Sequence, residues 1–136
     1  LIELGGDIRV IGPHPDGRPW CVGIRHPRIA GQVLAQIDLV SGAIASSGDY
    51  ERCIEHNGQR YGHILNPHTG WPVQGLISVS VVADHCLLAG SATTIALLRG
   101  ATGTDWLDSL GLPWLAMDAH GAVYGTLADS VSSADA

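Results

Sequence analysis

Residues 76–100 have the sequence LISVSVVADHCLLAGSATTIALLRG, which changes from a strand pattern to a helix pattern within one segment. The first part, Leu76–Ala83, is rich in β-branched side chains and predicts a strand. Asp84 is a suitable N-cap, and apolar or small residues then recur at helical spacing until Gly100, which predicts a helix. The segment therefore places a helix directly after a strand, late in the chain.

Strand patterns dominate the residues before this segment. The predicted strands cover residues 2–4, 8–11, 20–24, 33–39, 43–46, 51–56 and 59–65, with turn residues between them. After Gly100, we expect a short helix capped by Thr104 and ending at Leu110, then a hairpin over residues 114–124. From about Leu127 the small polar residues predict a frayed tail. Many antiparallel strands with helices grouped late indicate an α+β domain built on an antiparallel sheet with a few helices.

Composition narrows the possible function classes. The 136 residues suffice for one domain, or for part of a larger one, and the hydrophobic fraction of 46% indicates a packed core. The net charge of −6 and the lack of a Lys/Arg cluster argue against nucleic acid as a partner. No apolar run approaches the roughly 18 residues of a membrane span. The spacing of Cys21, Cys53 and Cys86 does not describe a zinc site and predicts buried free thiols in preference to one disulfide.

The first candidate for chemistry is His63, within residues 57–72. Asn57-Gly58 predicts a hairpin turn, and Asn66-Pro67 ends the strand that returns from it. The following loop is stiff and offers the hydroxyl of Thr69 and an accessible backbone amide. A histidine at a strand end beside such a loop is suited to acid–base chemistry on a phosphate or a sugar. The alternative is a histidine that only forms local hydrogen bonds at the strand end.

Two glycine-containing motifs are further candidates. Gly5-Gly6-Asp7 allows a ligand to approach the backbone closely beside a carboxylate, or it forms a β-bulge. The segment 46–52 carries two hydroxyls, a glycine and charges of both signs after a strand. Backbone amides at Gly48 could hold a phosphate oxygen, or the segment is a solvated turn.

The predicted helix has an unusual face of small residues, Ala89-Gly90-Ser91-Ala92-Thr93-Thr94. Small side chains allow close approach by a flat ligand or by another backbone, and tight packing of the helix on a sheet is the alternative. Glycine inside a helix costs about 1 kcal/mol relative to alanine. The presence of Gly90 therefore needs a physical reason.

Taken in chain order, these motifs resemble the FAD:protein FMN transferase (flavinyltransferase) family. The matching segments are Leu4-Gly5-Gly6-Asp7-Ile8, Pro19-Trp20, Val22-Gly23-Ile24, Pro27, residues 47–52, His63-Ile64, Asn66-Pro67, Thr69-Gly70, Pro72, residues 78–82 and the helix through Thr94. They cover nearly the whole chain. The resemblance implies an α+β domain of the T-fold kind, and we expect residues 1–136 to be its C-terminal part, with the N-terminal part lying upstream.

The resemblance also implies an activity and a location. Members of the family cleave FAD with a divalent metal, usually Mg²⁺, transfer FMN through a phosphoester to a Thr or Ser of a target flavoprotein, and release AMP. They are found in the bacterial periplasm or on the outer face of the cytoplasmic membrane. Attack of a hydroxyl on a pyrophosphate needs a base within reach and neutralisation of phosphate charge, which suits a histidine and a metal ion.

Individual roles follow from the same resemblance. It implies that His63 is the catalytic base and that Thr94 is a metal ligand. The residues implied to bind the flavin nucleotide are Gly5, Gly6, Asp7, Ser47, Gly48, His63, Ile64 and Thr69.

Three positions depart from the family pattern. Gly90 stands where the family has an aspartate one helical turn before the metal-binding threonine, Asn66 where aspartate is usual, and Gly62 where a second histidine is common. We therefore expect an incomplete metal site. Two alternatives to an active transferase follow: a non-catalytic FAD-binding relative that assists maturation of a redox protein, or a vestigial structural domain.

Overall fold

The computed structural model describes residues 1–50 and 52–131, and it confirms the α+β class. The strands are β1 (Ile2–Leu4), β2 (Asp7–Val10), β3 (Trp20–Arg25), β4 (Val33–Leu39), β5 (Gly42–Gly48), β6 (Cys53–His56), β7 (Gln59–Gly62), β8 (Leu76–Ala83), β9 (Trp114–Asp118) and β10 (Val123–Tyr124). The helices are α1 (Cys86–Arg99) and α2 (Gly103–Leu110), with short 3₁₀ turns at Gly100–Thr102 and Ala128–Ser130.

A six-stranded antiparallel sheet forms the centre of the molecule, in the order β1-β2-β5-β8-β9-β10. Strand β8 pairs with β5 from Ala83 opposite Ala43 to Ser78 opposite Gly48, and with β9 on its other side. Strands β3 and β4 form a second antiparallel pair, and β6 and β7 form a third. The first of these pairs covers the sheet, and the second carries the loop of His63.

Successive side chains of a strand point to opposite sides of the sheet, and the central strands are buried on both of these faces. On one face, α1 and α2 cover Ala45, Val79, Val81, Trp114 and Ala116. On the other face, the β3–β4 pair covers Ile44, Ile77, Leu115 and Met117. The molecule therefore has three layers, with the helices and the β3–β4 pair on opposite sides of the sheet.

Helix α1 shows why its sequence is rich in small residues. Its buried side chains are Ala89, Ala92, Thr93, Ala96 and Leu97, and they pack on β5 and β8. Tight helix–sheet packing thus accounts for much of the small-residue face. The helix ends at Gly100, whose φ of 57° suits glycine, as predicted.

The predicted start of α1 at Asp84 was wrong. His85 is the N-cap, with no side-chain capping bond, and the helix begins at Cys86. Instead of capping, Asp84 accepts a hydrogen bond on its carbonyl from Arg9 Nη1 at 2.6 Å, which ties the end of β8 to β2. The second helix also starts earlier than expected: Gly103 follows the 3₁₀ turn directly, so Thr104 lies inside the first turn.

Gly5 and Gly6 form a two-residue hairpin turn between β1 and β2, so the β-bulge alternative was wrong. Both have positive φ, 63° and 96°, and Leu4 pairs with Asp7 across the turn. Turns of this kind match the twist of the strands and favour glycine. The carboxylate of Asp7 is therefore placed at the first position of β2.

The predicted burial of the cysteines was also wrong. All three are free thiols, but Cys21 is exposed and Cys53 and Cys86 are half-buried. The reason at Cys21 is strand alternation, since its neighbour Val22 takes the inward position of β3.

The chain is ordered beyond the predicted start of the frayed tail. Leu127 packs on the core beneath β3–β4, and Val131 forms a bridge with Ala35. The last five residues, 132–136, and Glu51 in the predicted strand 51–56 lie outside the described residues.

Candidate functional site

The side chain of His63 is exposed and has a defined tautomer. The residue follows the end of β7, and its Nδ1 lies 3.1 Å from the carbonyl oxygen of Arg52. Because a carbonyl can only accept, Nδ1 must carry the proton, and the neutral ring then has its lone pair on Nε2. Nε2 is therefore the atom that can take a proton from a substrate.

The loop after His63 is closed by its own hydrogen bonds. The backbone amide of Asn66 donates to the Trp71 carbonyl at 2.8 Å, and the Gly70 amide donates to the Asn66 carbonyl at 2.8 Å. The Asn66 side-chain oxygen accepts from the amides of His68 at 2.9 Å and Thr69 at 3.3 Å. An asparagine oxygen therefore makes the contacts that an aspartate oxygen would make there.

The hydroxyl of Thr69 accepts a hydrogen bond from the Trp71 amide at 3.3 Å, so its own hydrogen stays available to a ligand. The backbone amide of Thr69 is already used by Asn66. The sequence predicted a hydroxyl and a backbone amide at this loop as donors to a ligand. At Thr69, the hydroxyl can donate to a ligand, whereas the amide already donates to Asn66.

Ile64 and Gly48 line one narrow crevice, together with Asp49 and Gly62. A Cβ on Gly48 would lie 2.6 Å from the Ile77 carbonyl oxygen, so close packing of β5 requires glycine there. A Cβ on Gly62 would lie 2.9 Å from the Asp49 Cβ. The second histidine expected at position 62 therefore has no room in this structure.

The structure brings Asp7, Ser47 and Thr94 together at an open depression of about 610 Å³. Asp7 comes from the start of β2, Ser47 from the end of β5, and Thr94 from α1, with Gly90 between them. Among the residues that the structure describes, the lining of this depression excludes the other predicted site residues Gly5, Gly6, Gly48, His63, Ile64 and Thr69.

Hydrogen bonds orient the hydroxyl groups at this depression. Ser47 Oγ lies 2.7 Å from Thr93 Oγ1, which in turn lies 2.9 Å from the Gly90 carbonyl oxygen. The carbonyl can only accept, so the single hydrogen of Thr93 goes to it and Ser47 must donate to Thr93. In the longer contact of 3.5 Å between Ser47 Oγ and Thr94 Oγ1, Thr94 is therefore the donor, and one lone pair of Ser47 remains available.

Asp7 adds a carboxylate to these two hydroxyls. Partial burial raises the pKa of the Asp7 carboxyl above its ordinary value, and desolvation is the cause. Within residues 1–50 and 52–131, no hydrogen bond or ion pair of this carboxylate contributes to that shift. Carboxylate and hydroxyl oxygens are the ligands that Mg²⁺ prefers, so this donor set fits a magnesium ion that also keeps water or phosphate ligands.

The donor set is small. The described residues contain no group of three or more His, Cys, Asp or Glu side chains that could hold a metal ion. Gly90 supplies no side-chain oxygen, so the helix contributes only hydroxyl groups, those of Thr94 and Ser91, to the lining of this depression. A cation here would depend on the oxygens of β2 and β5 as well.

Gly90→Ala is expected to stabilise the protein by about 0.4–1 kcal/mol. A Cβ at position 90 would lie 3.6 Å from Asp7 Oδ2 and 3.8 Å from the Ala45 Cβ, which are ordinary contacts. Urea unfolding measures the change. Gly103→Ala is the matched control: its Cβ would collide with the Ala96 carbonyl oxygen, so this variant should be destabilised. A loss of stability in Gly90→Ala would show that position 90 must be glycine for packing.

One feature that the sequence did not indicate is a second cavity, of about 710 Å³, with charged walls. Its lining includes Arg28, Asp49, Arg60, Asp118 and His120. Arg28 binds Asp49 through two hydrogen bonds of 2.6 and 2.8 Å, which join the β3–β4 loop to the end of β5. The partners lie 21 residues apart in different turns, so no local pattern signals the pair.

No helix in the described part of the chain is long and apolar enough to cross a membrane.

Relatives of known activity match this chain over most of its length. The FAD:protein FMN transferase of Haemophilus influenzae is 39% identical over 103 residues, which are 74% of this chain and 30% of that protein. The FAD:protein FMN transferase of Rhodobacter capsulatus is 38% identical over 107 residues, which are 78% of this chain and 20% of that protein. This chain therefore spans about a third or less of the length of these relatives.

Solved structures share the fold. The ApbE protein of Thermotoga maritima superimposes with a TM-score of 0.80 at 38% identity, over 90% of this chain and 41% of that one. The flavin transferase ApbE of Vibrio cholerae gives a TM-score of 0.75 at 30% identity, over 93% of this chain and 41% of that one. The sequence pattern of the ApbE family matches residues 1–115. Sequence and fold agree, and the chain belongs to the ApbE family.

Proposed function

We propose that this chain carries part of the active site of an FAD:protein FMN transferase. The reaction moves FMN from FAD to a Thr or Ser hydroxyl of a target flavoprotein through a phosphoester, and it releases AMP. Relatives at 39% and 38% identity bear this name. The observation that carries the proposal is the orientation of His63: its Nδ1 bonds to the Arg52 carbonyl, and among the residues that the structure describes its Nε2 has no hydrogen-bond partner. The non-catalytic and structural alternatives are not favoured by these relatives.

In the proposed reaction, the acceptor hydroxyl attacks the FMN phosphorus of the FAD pyrophosphate. A new P–O bond forms to the acceptor, the P–O bond to AMP breaks, and the hydroxyl proton passes to His63 Nε2. The hydrogen bond from Nδ1 to the Arg52 carbonyl keeps the required tautomer and stabilises the charged ring after proton transfer. His63 thus acts as the general base.

The remaining proposed contacts surround the nucleotide. Thr69 offers a free hydroxyl hydrogen, and Ile64 presents an apolar side chain beside Gly48. Gly5 and Gly6 form the exposed turn of the β1–β2 hairpin, directly before Asp7. We include all of them as flavin-nucleotide contacts.

A divalent cation, which the family resemblance implies is Mg²⁺, would neutralise negative charge on the pyrophosphate when bound. Thr94 would hold it through its hydroxyl, next to the available lone pair of Ser47. We place the protein in the bacterial periplasm or on the outer face of the cytoplasmic membrane, as the resemblance implies.

The test is transfer itself. The natural full-length protein is incubated with FAD, Mg²⁺ and a target domain that carries the acceptor threonine, and covalent flavin fluorescence is read after denaturation. The same target with Thr replaced by Val is the control. We expect covalent fluorescence on the target that carries threonine and none on the target that carries valine. Reversible FAD binding without covalent fluorescence would instead support the non-catalytic alternative.

A further inference from the structure

The carboxylate of Asp7 occupies the space that a side chain at position 90 would enter. A Cβ built on Gly90 would lie 3.6 Å from Asp7 Oδ2. Positions 90 and 94 lie one turn apart on the same face of α1, so a side chain at 90 would point toward the hydroxyl of Thr94. Asp7 reaches this place from β2, across the gap between sheet and helix.

We propose that Asp7 supplies, from strand β2, the carboxylate ligand that helix α1 lacks at position 90. The cation site then consists of Asp7, Thr94 and Ser47, with the remaining positions taken by water or phosphate oxygens. The use of this cation in FMN transfer rests on the proposed function, whereas cation binding itself can be measured separately.

The oxygens around the depression suit such a site. Magnesium binds oxygen at roughly 2.0–2.1 Å in octahedral geometry, so neighbouring ligand oxygens lie about 3 Å apart. Ser47 Oγ and Thr94 Oγ1 are 3.5 Å apart, which requires only a small adjustment. The hydrogen of Ser47 is used in the bond to Thr93, so its oxygen faces the depression with a lone pair that a cation could bind. These oxygens are therefore arranged to accept a cation.

The proposal also explains why position 90 carries no aspartate. An aspartate there would share the depression with Asp7, and two adjacent carboxylates repel each other when no cation lies between them. The alternative reason for glycine, another backbone packed against it, does not apply. The nearest atoms to the built Cβ belong to the side chains of Asp7 and Ala45.

Binding of Mn²⁺ to the metal-free protein, followed by electron paramagnetic resonance without FAD, tests the proposal. Asp7→Asn should weaken Mn²⁺ binding by about tenfold or more, since a carboxylate ligand is lost. Asp38→Asn, a change of the same chemistry at an exposed position of β4, should leave it unchanged. In Asp7→Asn with Gly90→Asp, the carboxylate returns on the helix and binding should recover. Equal Mn²⁺ affinity of wild type and Asp7→Asn, or no binding by the wild type at millimolar Mn²⁺, would overturn the proposal.

Thermal melting provides a second measurement that does not depend on flavin transfer. Without cation, Gly90→Asp should lower the melting temperature more with Asp7 present than with Asn at position 7, because repulsion is relieved in the double variant. Mg²⁺ should restore the melting temperature of Gly90→Asp. An equal effect in both backgrounds would show that the two positions do not face each other. If Mn²⁺ binds as expected but no flavin is transferred, the proposed function is contradicted and the proposed cation site is not.

Discussion

Replacement of His63 by alanine is expected to lower the rate of FMN transfer by about 10²–10⁴-fold, the usual contribution of a general base. The imidazole is exposed, and within the described part of the chain its ring bonds to the Arg52 carbonyl, so the fold should lose little. Single-turnover transfer to the acceptor threonine measures the rate, and a thermal melt of the same variant confirms that it is folded. The loss in the rate of the chemical step should be larger than any loss in FAD affinity.

His68→Ala is the matched control for this experiment. His68 is exposed in the same loop, and it contacts Asn66 through its backbone amide, which the substitution retains. Transfer should therefore stay within a few-fold of wild type. If His63→Ala and His68→Ala transfer FMN equally well, His63 has no part in the mechanism.

Leu107→Ala is expected to lower the free energy of unfolding by about 2–5 kcal/mol. Leu107 lies on α2 with 0% of its surface exposed and packs into the core beneath α1, near Val79 and Trp114. Truncation to alanine removes apolar burial and leaves a cavity that the neighbours fill only in part. Urea unfolding followed by circular dichroism gives the change.

Leu110→Ala makes the same chemical change three residues later on the same helix. Leu110 is 37% exposed, so its truncation should cost less than about 1 kcal/mol. Comparable losses at both positions would mean that α2 does not dock on the sheet by the face described above.

Local patterns predicted the elements of this fold that depend on local backbone preference. Asn57 and Gly58 have positive φ, 51° and 74°, and form the expected hairpin turn. The β-branched run Leu76–Ala83 is strand β8 over the predicted residues, and Gly100 ends α1. At the turn and at the helix end the residue type favours a specific φ, ψ region, and in β8 the β-branched side chains suit a pleated, buried surface.

Predictions failed where a distant partner decides the outcome. Asp84 does not cap α1, and its carbonyl is bonded to Arg9 on β2. The order of strands brings Ser47 against Thr93, 46 residues away, and no periodicity in the sequence reports that contact. The sequence predicted the site residues as separate motifs. Their arrangement in two groups, one around Thr94 and one around His63, depends on the order and register of the strands.

Among the described residues, the β6–β7 hairpin, which ends beside His63, forms a two-stranded sheet apart from the six-stranded one. Gly62 rests against Asp49, which Arg28 holds in place. A unit with so few buried contacts can open while the rest of the protein stays folded, so its amides should exchange with deuterium before those of β8. A measurement of global unfolding would not detect this local opening. A substitution at Arg28 or Asp49 can thus leave the melting temperature unchanged and still raise the fraction of time that His63 is out of position.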